Sequence, residues 1–150
     1  MIEKILPGLF RIIIPLPIPV VHSVNAYVIL DPYRNLIIDP GMDHVLCYDT
    51  LQTALKELKV DLTRTDFFMT HHHLDHFGLV SRLLRTGSVI YTNAAEAGLI
   101  EKIASFSILQ DLTRFLQRSG FPEIDPMKVL PELLGNEYSC LLYTSPSPRD

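Results

Sequence analysis

The feature that most constrains this chain is a cluster of metal-binding side-chain types at residues 71–76, which reads His-His-His-Leu-Asp-His. Four of the six histidines of the chain fall in this stretch, together with one aspartate. The run Asp66–Thr70 directly before it is typical of a buried strand, so we expect the cluster on a loop at a strand end. A chance polar loop is the alternative, but few physical reasons other than metal binding bring these groups together.

The spacing of these side chains predicts how they divide between metal ions. Imidazole nitrogen and carboxylate oxygen are ligands that zinc-class ions prefer, and a catalytic site leaves a position open for water. Side chains two residues apart in extended backbone point the same way, so His71 and His73 can bind one ion while His72 points elsewhere. Asp75 and His76 lie where the chain turns into the next predicted helix and can reach a second ion.

The rest of the pattern alternates strands with helices, which predicts an α/β fold. Short β-branched and aromatic runs predict strands at Phe10–Ile14, Val24–Leu30, Leu36–Ile38, Asp66–Thr70 and Ser88–Tyr91. Apolar spacing predicts helices over Val45–Lys59, capped by Asp43, and around Leu79–Leu84. Asn93 and Glu96 form a capping pair that opens a helical segment at about 94–134.

Composition excludes several classes of protein. At 150 residues and 47% hydrophobic content the chain can form one domain with a core. A net charge of −4 without any long run of like charge argues against a nucleic-acid partner. Pro15, Pro17 and Pro19 interrupt the first apolar stretch, which argues against a membrane span. Two cysteines outside any CxxC motif are too few for a disulfide framework, so we predict a cytoplasmic protein, with the oligomeric state left open.

The last eleven residues do not continue this pattern. Residues 140–150, which read CLLYTSPSPRD, resemble an in-frame translation of a transposase-type sequencing adapter. An ordinary flexible Ser/Pro-rich tail is the alternative. We therefore predict a native domain at 1–139, a non-native tail at 140–150, and a natural protein that continues further.

The stretch from Thr70 to Gly78, which reads THHHLDHFG, resembles the HxHxDH signature of the metallo-β-lactamase fold. Asp39-Pro40-Gly41 stands after a predicted strand where that family has its first acidic motif. The resemblance implies an αββα sandwich of two similar halves, of which this chain is the N-terminal portion. It implies that His71 and His73 bind the first metal, that Asp75 and His76 bind the second, and that Asp39 supports the metal loop from behind. A plain turn-forming role for Asp39 is the alternative.

The resemblance also implies three ligands further along the chain: a third histidine for each metal and a bridging aspartate. No histidine follows His76. Asp111 and Asp125 lie in predicted helical segments without a neighbouring ligand, which favours surface or capping roles. The sequence thus holds four of the seven implied ligands, and the chain as given is predicted to be inactive. His22 and His44 are predicted to be a solvated loop residue and a structural residue.

The family resemblance implies a metal-dependent hydrolase. Two divalent ions, with zinc preferred and iron or manganese as alternatives, would lower the pKa of a water to give a hydroxide that attacks a small-molecule substrate. Asp75 would orient that hydroxide as the catalytic carboxylate. An ester, thioester or lactone of the glyoxalase II or lactonase type is the predicted substrate class. Two alternatives stay open: a phosphodiesterase or nuclease branch of the same fold, and a non-catalytic metal-binding fragment.

Overall fold

The computed structural model describes residues 1–18, 21–104, 113–115 and 117–120. The chain divides into two compact units, Met1–Glu96 and Ala97–Asp150. Beyond residue 104, residues 113–115 and 117–118 are helical and residues 119–120 form a turn, while the remainder of the predicted helical segment lies outside the described residues. The predicted tail at 140–150 lies outside them as well.

A mixed sheet of six strands forms the first unit. The strands are β1 (Ile2–Leu6), β2 (Leu9–Pro15), β3 (Ser23–Ile29), β4 (Asn35–Ile38), β5 (Thr65–Phe68) and β6 (Ile90–Tyr91), and they lie in sequence order. The first four pair antiparallel, whereas β4 with β5 and β5 with β6 pair parallel. Parallel neighbours need a crossover connection, which explains why helices stand between β4 and β5 and between β5 and β6. The sheet and helices match the predicted α/β class.

Strand β1 was not predicted. Its five residues read Ile-Glu-Lys-Ile-Leu, so charges interrupt the apolar run, and four of the five are exposed. Such charge is common on edge strands, where it discourages pairing with other chains. This short run of mixed charged and apolar residues becomes a strand because it pairs with β2 at the edge of the sheet. The sequence does not reveal that pairing.

Four α-helices are described within residues 1–104, besides a single 3₁₀ turn at Leu62–Arg64, and they correct the sequence-based prediction at two points. They are α1 (Val45–Glu57), α2 (Leu74–Phe77), α3 (Val80–Leu83) and α4 (Ala94–Ala104). The predicted helix around Leu79–Leu84 is α3, and a separate short helix, α2, precedes it across Gly78, whose backbone passes close to that of Asp43. The cap of α1 is His44, whose Nδ1 accepts from the Leu46 amide at 3.2 Å. Asp43, the predicted cap, instead pairs with Arg82 at 3.1 Å.

The core lies on one face of the sheet, under the first three helices. Burial alternates along β2 and β3, as expected for strands covered on one side. The core side chains include Ile12, Ile14, Val28, Ile37 and Phe67 from the sheet and Cys47, Leu51, Phe77, Leu79 and Leu83 from the helices and the linker between α2 and α3. On the opposite face Ile29, Phe68 and Tyr91 are 36%, 39% and 49% exposed. An apolar face of this kind is typical of a sheet that packs against a further layer.

Asp66 joins three segments at the beginning of β5. Its carboxylate accepts from Arg34 Nε at 2.9 Å, from Arg34 Nη2 at 2.6 Å and from the Val89 amide at 2.9 Å. The hydrogen bond from the Arg34 guanidinium lowers the pKa of Asp66. The ionised carboxylate therefore stabilises the parallel part of the sheet.

We expect Asp66→Asn to lower the free energy of unfolding by about 1–2 kcal/mol at neutral pH, because charge-assisted hydrogen bonds are lost. The folded pKa lies below the unfolded value of about 3.9, so this contribution is present above about pH 4 and disappears as the pH falls through the folded pKa. Urea denaturation of wild type and variant at pH 7 and near pH 2.5 measures both effects. A gap that stays constant down to the lower pH would contradict the assignment, and Asp49→Asn on the exposed face of α1 is the control.

Candidate metal centre

A strained turn after β4 positions the first acidic residue. Asp39 has a φ of 48° and Gly41 a φ of 111°, so two residues of the Asp39-Pro40-Gly41 turn adopt left-handed backbone. A Cβ on Gly41 would lie 3.2 Å from Ile14 Cδ1 of the core. The Asp39 amide donates to the Phe68 carbonyl at 3.1 Å, which extends the pairing of β4 with β5. The turn therefore places the Asp39 carboxylate next to the loop that follows β5.

Backbone hydrogen bonds tie this turn to the histidine-bearing segment. The Gly41 amide donates to the His76 carbonyl at 3.2 Å, and the Leu79 amide donates to the Gly41 carbonyl at 2.9 Å. These bonds hold α2 and the linker that follows it against the turn. Asp39 and Thr70 are 31 residues apart, and the two sequence motifs at which they stand thus form one structural unit.

The Asp39 carboxylate accepts three hydrogen bonds in a buried position. Its Oδ1 accepts from the Thr70 amide at 2.9 Å, and its Oδ2 accepts from Thr70 Oγ1 at 2.5 Å and His76 Nδ1 at 3.1 Å. Burial raises the pKa of Asp39, but hydrogen bonds from His76 and Thr70 outweigh this effect, so the net pKa is lowered. Asp39 is therefore ionised at neutral pH and acts only as an acceptor.

These contacts determine which nitrogen of each ring carries the proton. The single hydroxyl proton of Thr70 goes to the Asp39 carboxylate, so Thr70 Oγ1 must accept from the Nδ1–H of His71, 2.9 Å away. Likewise Nδ1–H of His76 donates to Asp39. When their rings are neutral, His71 and His76 therefore each have a lone pair at Nε2. Burial, followed by the neighbouring His76 and His73, lowers the pKa of His71, while the hydrogen bond to Asp39 raises the pKa of His76.

The candidate ligands converge around these two Nε2 atoms. Potential ligand atoms of Asp39, His71 and His76 all lie within 4.8 Å of one another. The Nδ1 of His73 lies 3.1 Å from Nε2 of His71, and Asp75 Oδ2 lies 3.6 Å from Nε2 of His76. Two nitrogens bound to one tetrahedral zinc ion at about 2.05 Å are about 3.3 Å apart. The spacing of His71 and His73 and the nitrogen and oxygen donor set therefore fit an ion of the zinc class.

The remaining histidines make other contacts. His72 turns toward Glu96, whose Oε2 accepts from the His72 amide at 2.7 Å and contacts its Nδ1 at 2.8 Å. His22 is exposed in the loop before β3, and His44 caps α1. The structure thus brings together the four predicted ligands and Asp39, while His72 bonds to Glu96 and His22 and His44 belong to other segments.

Two residues of this region were not predicted to take part in the site. Thr70 was placed at a strand end and at the start of the THHHLDHFG stretch, without a role in the site. Its hydroxyl stands directly before the first histidine, which could have indicated a hydrogen-bond partner that fixes the tautomer of that ring. Glu96 was assigned to a helix cap, and nothing in its local sequence points to His72, which is 24 residues away.

Comparisons with known proteins identify the fold. No protein-family model matches the sequence, and no curated protein is significantly similar to it. A metallo-β-lactamase family protein from Thermus thermophilus superposes with a TM-score of 0.68 at 23% identity, covering 83% of this chain and 42% of that one. A β-lactamase domain protein from Burkholderia ambifaria gives 0.58 at 22% identity, covering 75% and 36%. A Cronobacter sakazakii metallo-β-lactamase with a HARLDQ motif gives 0.55 at 20% identity, covering 69% and 38%.

The described architecture is the N-terminal portion of the metallo-β-lactamase fold. This confirms the fold that the sequence resemblance implied. The chain spans less than half the length of each of these solved structures. Among the described residues, no helix has the length and apolar character needed to cross a bilayer.

Proposed function

We propose that this chain provides the N-terminal metal ligands of a metallo-hydrolase. His71 and His73 would bind one divalent ion, and Asp75 and His76 would bind a second. Asp39 would orient the His76 ring by a direct hydrogen bond and the His71 ring through Thr70. One observation carries the proposal: the buried Asp39 carboxylate contacts His76 Nδ1 directly and His71 Nδ1 through Thr70 Oγ1, an arrangement that leaves Nε2 of each neutral ring available for metal. Carboxylate partners of this kind are typical of metal-binding histidines.

The chemistry of the site follows from the positions of its own residues. When bound, divalent ions, with zinc favoured by the donor set and iron or manganese as alternatives, would supply a water of lowered pKa and polarise the group under attack. Asp75 Oδ2, close to His76 Nε2, would accept a hydrogen bond from that water and orient it. The pKa of His71 is lowered, which favours the neutral ring that metal binding requires.

The proposed substrate class is a small ester, thioester or lactone, as in the glyoxalase II and lactonase branches of this fold. A phosphodiesterase or nuclease activity is the enzymatic alternative, and the net charge of −4 disfavours a polyanionic substrate. We further propose a native domain at 1–139 and a cytoplasmic location. The buried Cys47 thiol, which donates to the Pro15 carbonyl at 3.2 Å, is consistent with a reducing compartment.

A second candidate is a metal-binding but non-catalytic chain. Two observations favour it: the sequence holds four of the seven ligands that the family resemblance implies, and the sheet face of Ile29, Phe68 and Tyr91 is partly exposed. Because the ligand set is incomplete, we expect the 150-residue chain to retain metal weakly and to show no turnover by itself.

Metal analysis with activity assays separates these candidates. Purified protein is titrated with Zn²⁺ and Co²⁺ in competition with a chelator and assayed with thioester, lactone and phosphodiester substrates. Metal binding that falls in His71→Ala, but not in the exposed control His22→Ala, supports the proposed ligands. Two tightly held equivalents with turnover lost in His71→Ala would overturn the non-catalytic candidate, and wild-type protein that binds neither ion would overturn both.

A further inference from the structure

Glu96 makes its contacts with the one histidine of the cluster that is not a proposed ligand. Its Oε2 accepts from the His72 amide at 2.7 Å and lies 2.8 Å from His72 Nδ1. The Glu96 side chain is 20% exposed and the His72 side chain 32%. Both residues belong to the Met1–Glu96 unit, so the contact is internal to the body that carries the candidate site. One carboxylate oxygen thus holds both the backbone and the ring of His72.

Glu96 departs from its local role in making this contact. Asn93 Oδ1 accepts from the Glu96 amide at 3.0 Å, which is the first half of a capping box at the beginning of α4. In a complete capping box, the glutamate side chain returns to the amide of the cap residue. Here the carboxylate bonds instead to a residue 24 positions earlier. Departures from a local rule concentrate at functional positions, which directs attention to what His72 would otherwise do.

His72 is chemically equivalent to the ligands on either side of it. Its ring centroid lies 4.9 Å from that of His73 and 6.4 Å from that of His71, so a rotation of the side chain would bring another imidazole nitrogen near the site. The His72 amide also lies between the two residues that would share one ion. Rotating that peptide would change the relative orientation of His71 and His73, whose Nε2 and Nδ1 atoms lie 3.1 Å apart.

We propose that Glu96 is a positioning residue for the loop of residues 71–73. It anchors the His72 backbone, and it holds the His72 ring away from the metal so that this ring does not compete with the proposed ligands. This inference rests on the proposed function, because it assumes that His71 and His73 bind metal. It assigns Glu96 no contact with metal or substrate. Direct hydrogen-bond partners of metal ligands typically change metal affinity about 10- to 100-fold, and Glu96, which contacts a neighbour of the ligands, is expected at the lower end of that range.

The test compares Glu96→Ala and Glu96→Gln with Glu101→Gln, a matched change at an exposed position of α4. We expect Glu96→Ala to raise the Kd for Co²⁺ about 10-fold, and Glu96→Gln, which keeps an acceptor, to raise it less. Hydrogen exchange of the His72 amide in metal-free protein should become faster in Glu96→Ala. Adding His72→Ala to Glu96→Ala should recover part of the affinity, since the competing imidazole is then absent.

The outcomes distinguish this inference from the proposed function. If wild-type protein binds Co²⁺ and Glu96→Ala binds it equally well, Glu96 only supports the helix and the inference is wrong, whatever happens to the melting temperature. If the affinity falls but His72→Ala recovers none of it, withholding of the His72 ring is wrong. If wild-type protein binds no metal, the proposed function fails and this inference fails with it.

Discussion

Asp39→Asn is expected to lower the affinity for zinc or cobalt about 100-fold while leaving the fold intact. The Thr70 amide donates to Oδ1, so the asparagine must keep its oxygen there and place its NH₂ group at the position of Oδ2. That NH₂ group would donate to Thr70 Oγ1 and to His76 Nδ1, both of which would then act as acceptors. The Thr70 hydroxyl would donate to His71, and in both rings the proton would move to Nε2. Both lone pairs proposed to bind metal would be lost.

The measurement has a component that is independent of metal. Nitrogen chemical shifts of the imidazole rings report the tautomer, and we expect those of His71 and His76 to change from Nδ1–H to Nε2–H in the metal-free variant. Chelator competition gives the affinity. Asparagine also tolerates the left-handed backbone of this position, so the variant is expected to fold. Unchanged tautomers and affinity would show that Asp39 is only a turn former, and Asp49→Asn on α1 provides the same chemical change away from the site.

Gly78→Ala is expected to lower the free energy of unfolding by about 3 kcal/mol, as forced contacts in a packed region do. A Cβ at this position would lie 2.6 Å from the Asp43 amide nitrogen and 2.7 Å from the Leu74 carbonyl oxygen. Both are backbone atoms, which cannot rotate away as a side chain would. The segment after the Asp39-Pro40-Gly41 turn would have to move away from α2. Because whole domains are stable by only about 5–15 kcal/mol, this is a large share of the total.

Gly98→Ala is the matched control, since it adds the same methyl group to a glycine of α4. A Cβ there meets no atom within 4 Å, and alanine is the better helix former, so we expect a change between zero and a gain of about 1 kcal/mol. Chemical denaturation of both variants measures the difference. Equal midpoints for Gly78→Ala and wild type would show that the turn and α2 are not held as closely as the structure indicates.

The strands and the first helix were predictable because their signals are local. Runs such as Val24–Leu30 and the apolar spacing of Val45–Lys59 show their own periodicity, and the observed elements differ from the predictions by a few residues at the ends. The predictions were wrong where a distant contact overrides local preference. Asp43 is a good helix cap by type, but its pairing with Arg82 leaves the cap position of α1 to His44. The charged run of β1 becomes a strand only through its pairing with β2.

The identities of the candidate ligands were also readable from the sequence. His71, His73, Asp75 and His76 stand within six residues, and their alternation alone predicts which of them face the same way. Their assignment as metal ligands remains a proposal, and the titrations above decide it. The role of Asp39 beside the candidate ligands was implied only by the family resemblance, because a turn accounts for an Asp-Pro-Gly sequence without any metal.

The sequence by itself determined the kinds of groups at the candidate centre and their order along the chain. The tertiary structure decided which groups the ring nitrogens face, and with them the expected tautomers. Asp39 meets partners 31 and 37 residues away, and Glu96 meets His72, 24 residues away. A ring nitrogen carries or lacks a proton according to the group it faces, and that group is brought near by the pairing of β4 with β5 and by the close approach at Gly78. The local sequence does not indicate this proximity, because it arises only when distant segments meet in the folded chain.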